Sequence, residues 1–216
     1  MDERVRNADQ DGHCKGGAPA SVEDPLAVAL ADADDNPMNP DELPSREPGS
    51  RRIHIVVDTP AGSRNKYKYD PTFGVFRISR VLPRGSAFPH DFGSIPQTLA
   101  ADGDALDVLV IAAAPSFPGC LMSGRLIGVL HAEQRERRRT IRNDRLIAVA
   151  ETPVNRSPLR ELSDLDPEHL RDIEHFFESY NRRQGRQFRI VSRGRRAAAE
   201  IVLERAVRAF REAHGG

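Results

Sequence analysis

Asp102-Gly-Asp-Ala-Leu-Asp107-Val-Leu-Val-Ile-Ala112 sets three carboxylates at the mouth of an apolar run. A short run of Val, Leu and Ile bounded by an Asp-Gly-Asp turn has the pattern of a buried strand. Carboxylates this close repel one another, and crowding them is costly unless a hard cation holds them or they share protons. The competing reading is a plain acidic turn, because Asp and Gly are the usual residues where a chain turns into a strand. An EF-hand loop is excluded, since its fifth, sixth and twelfth places would fall on Leu106, Asp107 and Ala113.

Working outward, Ile53 to Asp58, Lys66 to Tyr69, Val75 to Arg80, Asp107 to Ala112, Arg125 to His131, Arg145 to Ala150 and Phe188 to Ser192 are expected strands. Two helices close the chain. The first has Asp166 as N-cap, Pro167 at its first position and an apolar stripe of Leu170, Ile173, Phe177 and Tyr180. The second runs from about Arg196 to Ala213, with Ala198, Val202, Ala206, Ala209 and Phe210 expected against the sheet. Strands followed by helices predict an α+β protein without internal repeats.

The chain has 216 residues and formal net charge zero, but the charge is unevenly placed. Residues 1–50 hold twelve Asp and Glu against four Lys and Arg, leaving 20 acidic and 28 basic residues in the rest. With few bulky apolar residues, this segment is expected to be a disordered acidic tail, with Pro25 to Ala33 as a possible short helix, ahead of one folded domain at 51–216. No apolar run approaches the roughly 20 residues that span a bilayer, and the start of the chain lacks the apolar region of a signal peptide. A cytoplasmic protein without a membrane partner is expected. Cys14 and Cys120 lack metal-ligand spacing and are expected to be reduced thiols. With no Trp and only three Tyr to stack on bases, nucleic-acid binding is the weakest class.

Several stretches together resemble the soluble family I inorganic pyrophosphatases. Besides Asp102 to Asp107, they are Pro60-Ala-Gly-Ser-Arg-Asn-Lys66-Tyr67, Gly74-Val-Phe-Arg-Ile-Ser-Arg80-Val-Leu-Pro83, Phe88-Pro-His-Asp-Phe92-Gly-Ser-Ile-Pro96, Gly128-Val-Leu130, Arg145-Leu-Ile-Ala-Val149 and His175-Phe-Phe-Glu-Ser-Tyr180. Their order and spacing fit from about residue 53 to the C-terminus. The resemblance implies a five-stranded OB-like closed β-barrel flanked by the C-terminal helices, and Mg²⁺-dependent hydrolysis of pyrophosphate by a metal-activated water. It matches Asp102, Asp107, Asp104 and Asp58 to metal ligands, with Asp104 also the carboxylate that takes the proton from the water. Lys66, Arg80, Arg145 and Tyr180 match phosphate-binding positions, and a homo-oligomer, commonly a hexamer, is implied.

The chemistry needs both sets. Pyrophosphate carries about four negative charges when fully ionised, so cations must offset that charge and a metal must acidify the water. Carboxylates hold Mg²⁺, and Arg and Lys hold phosphate. Against the family pattern, a Glu is replaced by Lys68, two tyrosines by Phe88 and Phe92, and a Lys by Asn181. Two metal-binding aspartates are replaced by Gln134 and Asn143; Glu133 or Asp144 could restore an acid, but a one-residue slip in a strand turns the side chain to the other face. The loop from Gln134 to Arg145 carries six arginines, either as a solvated hairpin or as guanidinium groups that take over charge cancellation from metals. The leading expectation is an inorganic pyrophosphatase; the alternative is a catalytically impaired relative that binds pyrophosphate, a nucleotide or another polyanion.

Overall fold

The structure, a computed structural model, describes residues 39–136, 139–151 and 157–215. The expected Pro25 to Ala33 helix lies outside the described residues. A 3₁₀ turn at Pro40–Glu42 leads into β1 (Ile53–Thr59), β2 (Asn65–Asp70), β3 (Val75–Val81), β4 (Asp91–Ile95), β5 (Leu106–Ile111), β6 (Leu121–Glu136), β7 (Arg139–Arg142) and β8 (Arg145–Ala150). A second 3₁₀ turn at Leu162–Asp164 precedes α1 (Pro167–Arg182), β9 (Gln187–Arg195) and α2 (Arg196–His214).

Seven strands form one mixed sheet in the order β1-β4-β5-β8-β6-β7, with β9 and β1 also pairing with β6. β5 and β8 are parallel and the remaining pairs antiparallel. β2 and β3 form a separate hairpin. This is a sheet-rich α+β fold with two C-terminal helices.

The period-two alternation of the strands divides the core. Leu109, Ile147 and Val149 join Leu170, Ile173 and Phe177 of α1 in one cluster. Val108, Val110, Leu146 and Ala148 join Ala199, Leu203 and Ala206 of α2 in the other. Both faces are therefore covered, which is why β5 and β8 are almost continuously apolar. The centre of the α2 stripe is Ala199, Leu203 and Ala206 rather than the expected Ala198, Val202 and Ala206, with Ala198 and Val202 at its edge. Phe210 instead stacks on His214 at 4.2 Å between ring centroids. Asp166 caps α1 as expected, accepting from the backbone N–H of Glu168 at 2.8 Å and His169 at 3.1 Å.

Two strands were not expected from sequence. β4 follows a turn, and its Gly93 lies so close to β1 that a Cβ would stand 2.1 Å from the Val56 carbonyl oxygen. β7 comes from the arginine-rich loop. β6 is longer than the expected Arg125 to His131 because it pairs with four strands along its length. Residues 39–50, expected in the tail, contact the body: Arg46 bridges Ile53 and pairs with Glu200 at 2.5 Å, and Ser123 Oγ donates to Glu47.

Candidate active site

The Asp-Gly-Asp turn is built by backbone bonds. Ala100 N–H donates to the Asp104 carbonyl at 2.8 Å and Gly103 N–H to the Ala100 carbonyl at 3.0 Å, with Gly103 at φ 89°, a conformation that favours glycine. Buried Thr98 fixes the exit: its hydroxyl donates to the Ile95 carbonyl at 2.5 Å and accepts from Leu106 N–H at 2.9 Å. β5 therefore starts in a set register, and Asp107 alternates with its inward apolar neighbours Leu106 and Val108.

Asp58 arrives from β1. Burial, then the nearby Asp107 carboxylate, push its carboxyl up to about 7, with Asp104 acting in the same direction and Lys66 and Lys68 opposing. Asp102, at the exposed turn, is also raised, first by partial burial and then by Asp107. Four carboxylates from β1, the turn and β5 thus share one electrostatic neighbourhood, with Asp107 acting on both Asp58 and Asp102.

Cations surround them. Lys66 and Arg80 are directly opposite one another on the β2 and β3 hairpin. The Lys66 ammonium stands 5.4 Å from the Phe92 ring centroid and 5.7 Å from that of Tyr180. Tyr180, half-buried on α1, stacks on Phe176 and closes an aromatic set with Phe88. The exposed Lys68 ammonium lies 3.2 Å from Asp104. Asp58, Asp102, Asp104, Asp107, Lys66 and Tyr180 are linked by contact or electrostatic influence, and Arg80 joins them through its register with Lys66.

Arg145 is the exception in kind. Its guanidinium is deeply buried, 2.5 Å from Asp107 Oδ2, between the rings of Phe177 and Phe188 at 5.7 and 5.4 Å. It donates to Asn143 Oδ1 and, at 3.3 Å, to the Asp144 carbonyl. Asn143 Nδ2 in turn donates to Gln134 Oε1 at 3.0 Å, and both amides are buried. Sequence reasoning noted these residues separately but missed that they connect in one polar chain; the paired buried amides bounding the same loop were the available signal.

Glu133 and Asp144 face other protein groups. Asp144 accepts from Ala132 N–H at 3.0 Å and pairs with Arg142 at 2.6 Å and His131 at 3.2 Å, while Glu133 pairs with Arg189 at 3.3 Å. Among the described residues, no three His, Cys, Asp or Glu side chains are gathered closely enough to hold one ion by themselves.

A cleft of about 540 Å³ opens beside the site, lined by Arg80, Tyr180, His175, Arg182 and Arg183 among others. None of the four carboxylates lines it. Its size suits a small molecule, and Arg80 and Tyr180 line it, whereas the carboxylates are linked to one another through Asp107.

Similarity to known proteins spans most of the folded part of the chain. The sequence model of the inorganic pyrophosphatase family matches residues 55–211. The chain is 34% identical over 164 residues to the inorganic pyrophosphatase of Thermus thermophilus, covering 74% of this chain and 91% of that protein. It is 36% identical over 153 residues to the enzyme of Geobacillus stearothermophilus, covering 70% and 90%. The fold is similar to the crystal structure of inorganic pyrophosphatase from Thermus thermophilus, with TM-score 0.73 and 30% identity over 81% of this chain and 99% of that one.

Proposed function

From the premise that this chain belongs to the inorganic pyrophosphatase family, we propose how its residues carry out the hydrolysis of pyrophosphate. The observation that carries the proposal is the juxtaposition of a carboxylate cluster with Lys66, Arg80 and Tyr180. The chain is a hydrolase acting on a phosphoanhydride, and the binding-only alternative gains no support from its relatives.

The donor set fits a divalent cation. Asp58 and Asp102 are carboxyls whose ionisation is opposed by burial and by Asp107, and a nearby cation relieves that opposition. Because no three acids converge on one point among the described residues, the fit is to an ion that keeps several water or phosphate ligands, as Mg²⁺ does. Asp58, Asp102, Asp104 and Asp107 would supply its protein ligands, one or two at a time. When bound, it would offset substrate charge and lower the pKa of a water. Asp104, exposed and paired only loosely with Lys68, is free to take a proton from that water. Lys66 and Arg80 bind phosphate oxygens, and the Tyr180 hydroxyl donates a further hydrogen bond. Arg145, expected among them, is engaged by Asp107.

The pairing of β1 with both β4 and β6 supports a closed five-stranded OB-like barrel of β1, β4, β5, β8 and β6. Phe73, Val75, Ile78 and Val81, exposed on the hairpin, support a homo-oligomer, a hexamer by the resemblance. No helix among the described residues is long and apolar enough to cross a membrane; we assign the protein to the cytoplasm.

The test is phosphate release from pyrophosphate across a Mg²⁺ titration, with Asp104→Asn as control. Turnover of about 1 per second or more, reduced at least about 100-fold in the variant, is expected. Release equal in the two proteins would overturn the assignment of Asp104.

A further inference from the structure

Asp107 stands at the centre of the carboxylate cluster, acting on both Asp58 and Asp102. One of its oxygens, Oδ2, is taken by a guanidinium that belongs to the protein. Resting on the hydrolase reading above, we infer that Arg145 is a built-in counter-ion of this site: a positioning residue that clamps Asp107, cancels its charge, and lowers by one the number of divalent cations the cluster takes up.

Four observations carry this. The pair is close and largely shielded from water, with the Arg145 side chain 9% and the Asp107 side chain 24% exposed, so solvent and salt screen it little. The guanidinium is held on flat apolar surfaces by the rings of Phe177 and Phe188, a setting that suits the weakly hydrated Arg side chain. The Gln134 and Asn143 amides supply orientation without charge: Asn143 Nδ2 donates to Gln134, which turns Asn143 Oδ1 toward the guanidinium. No carboxylate other than Asp107 contacts Arg145 among the described residues, since Asp144 offers it only a backbone carbonyl and directs its side chain at His131 and Arg142.

The arrangement has two consequences. Asp107 has one oxygen in an ion pair with the guanidinium, which leaves the other as the less encumbered oxygen for a metal ion. The cation beside it is fixed covalently to β8, so it is present at every Mg²⁺ concentration. A mobile ion would be lost as the metal is diluted; this one is not. Arg145 Nε is buried without a hydrogen-bond partner among the described residues.

The experiment counts ions rather than turnover. Mn²⁺ binding to the full chain without substrate is measured by the loss of the free-ion electron paramagnetic resonance signal, for the natural protein, Arg145→Met and Arg145→Lys. Removing the charge is expected to add one Mn²⁺ per chain, or to tighten the weakest site at least tenfold, while Lys keeps the natural count. A structural role alone would alter thermal stability in both variants without changing the count. Arg145→Gln, which retains an N–H for Asp107 and Asn143, gives the same added ion and serves if the Met variant does not fold. An unchanged count with less than a threefold change in affinity in the folded uncharged variant would overturn the proposal, as would a Lys variant that behaves like Met. Because substrate is absent, a protein that released no phosphate would leave this result standing.

Discussion

Asp107 and Asp58 belong to one carboxylate group but occupy opposite electrostatic settings. Asp107 has a guanidinium at 2.5 Å, secured by aromatic rings and a buried amide. Asp58 has burial and a neighbouring carboxylate working against its charge, with Lys66 and Lys68 only partly offsetting them. On one flank the protein supplies the cation itself. On the other it leaves negative charge uncompensated, and that flank is where an ion from solution gains most by binding.

The largest effect should come from breaking the compensated flank. Arg145→Met strands Asp107 in a mostly buried position, and losing one partner of a buried pair typically costs about 3 to 5 kcal/mol. Because Asp107 keeps some exposure, we expect about 3 kcal/mol, read as a lower urea midpoint at pH 7.5 in chelator. A loss below about 1 kcal/mol would mean the pair is no stronger than a surface contact and the two flanks are alike.

Asp58→Asn should act with the opposite sign. The carboxyl's folded value of about 7 stands above the ordinary 3.8, so the native state keeps a proton that the unfolded chain has lost. Its contribution to stability is present below 3.8 and disappears as pH rises through 7. At pH 8 without divalent metal the charge is a burden, and Asn removes it; a gain of about 2 kcal/mol is expected, shrinking toward zero near pH 4. Adding Mg²⁺ should reverse the order, because the natural protein gains a ligand the variant lacks. A variant less stable than the natural protein at pH 8 in chelator would end the contrast.

The rule can be sharpened with cations. His90 and His169 face one another, Nε2 to Nε2 at 2.6 Å, between the turn before β4 and the first turn of α1. Burial, then the neighbouring imidazole, lower His90 from 6.5 to about 4. Here the unfolded chain binds the proton first, so stability is full above 6.5 and falls as pH drops toward 4. With allowance for partial solvent access, the loss should be about 1 to 2 kcal/mol, and His90→Gln should flatten that part of the pH profile. An unchanged slope would show that the pair is not charge-limited.

These contrasts were only partly legible in the sequence. β1, β2, β3, β5, β8 and the α1 cap follow from alternation and end signals, because those depend on neighbours in the chain. β4 does not, because Asp91-Phe-Gly-Ser-Ile95 has little strand propensity and becomes a strand by fitting Gly93 under the Val56 carbonyl. β7 is a run of charges made a strand by pairing with β6. The residues of the candidate site were visible through motif spacing, but the engagement of Arg145 with Asp107 joins positions 38 residues apart through β5 and β8, and only tertiary pairing reveals it.

Lys68 and Asp104 provide the smallest effect and the strictest control. Their contact has the same charge types as the Arg145 pair and a distance of 3.2 Å, but the side chains are 64% and 67% exposed. Water already solvates both groups, and holding two flexible side chains in one geometry consumes most of the Coulomb gain. Lys68→Met should therefore change stability by less than about 0.5 kcal/mol at 0.15 M salt, with any difference vanishing at 1 M. The Arg145→Met loss should persist at 1 M, since its pair is shielded from mobile ions. If both losses faded equally with salt, burial would not be what separates the two pairs, and the fixed counter-ion would have to be explained by the site's overall charge.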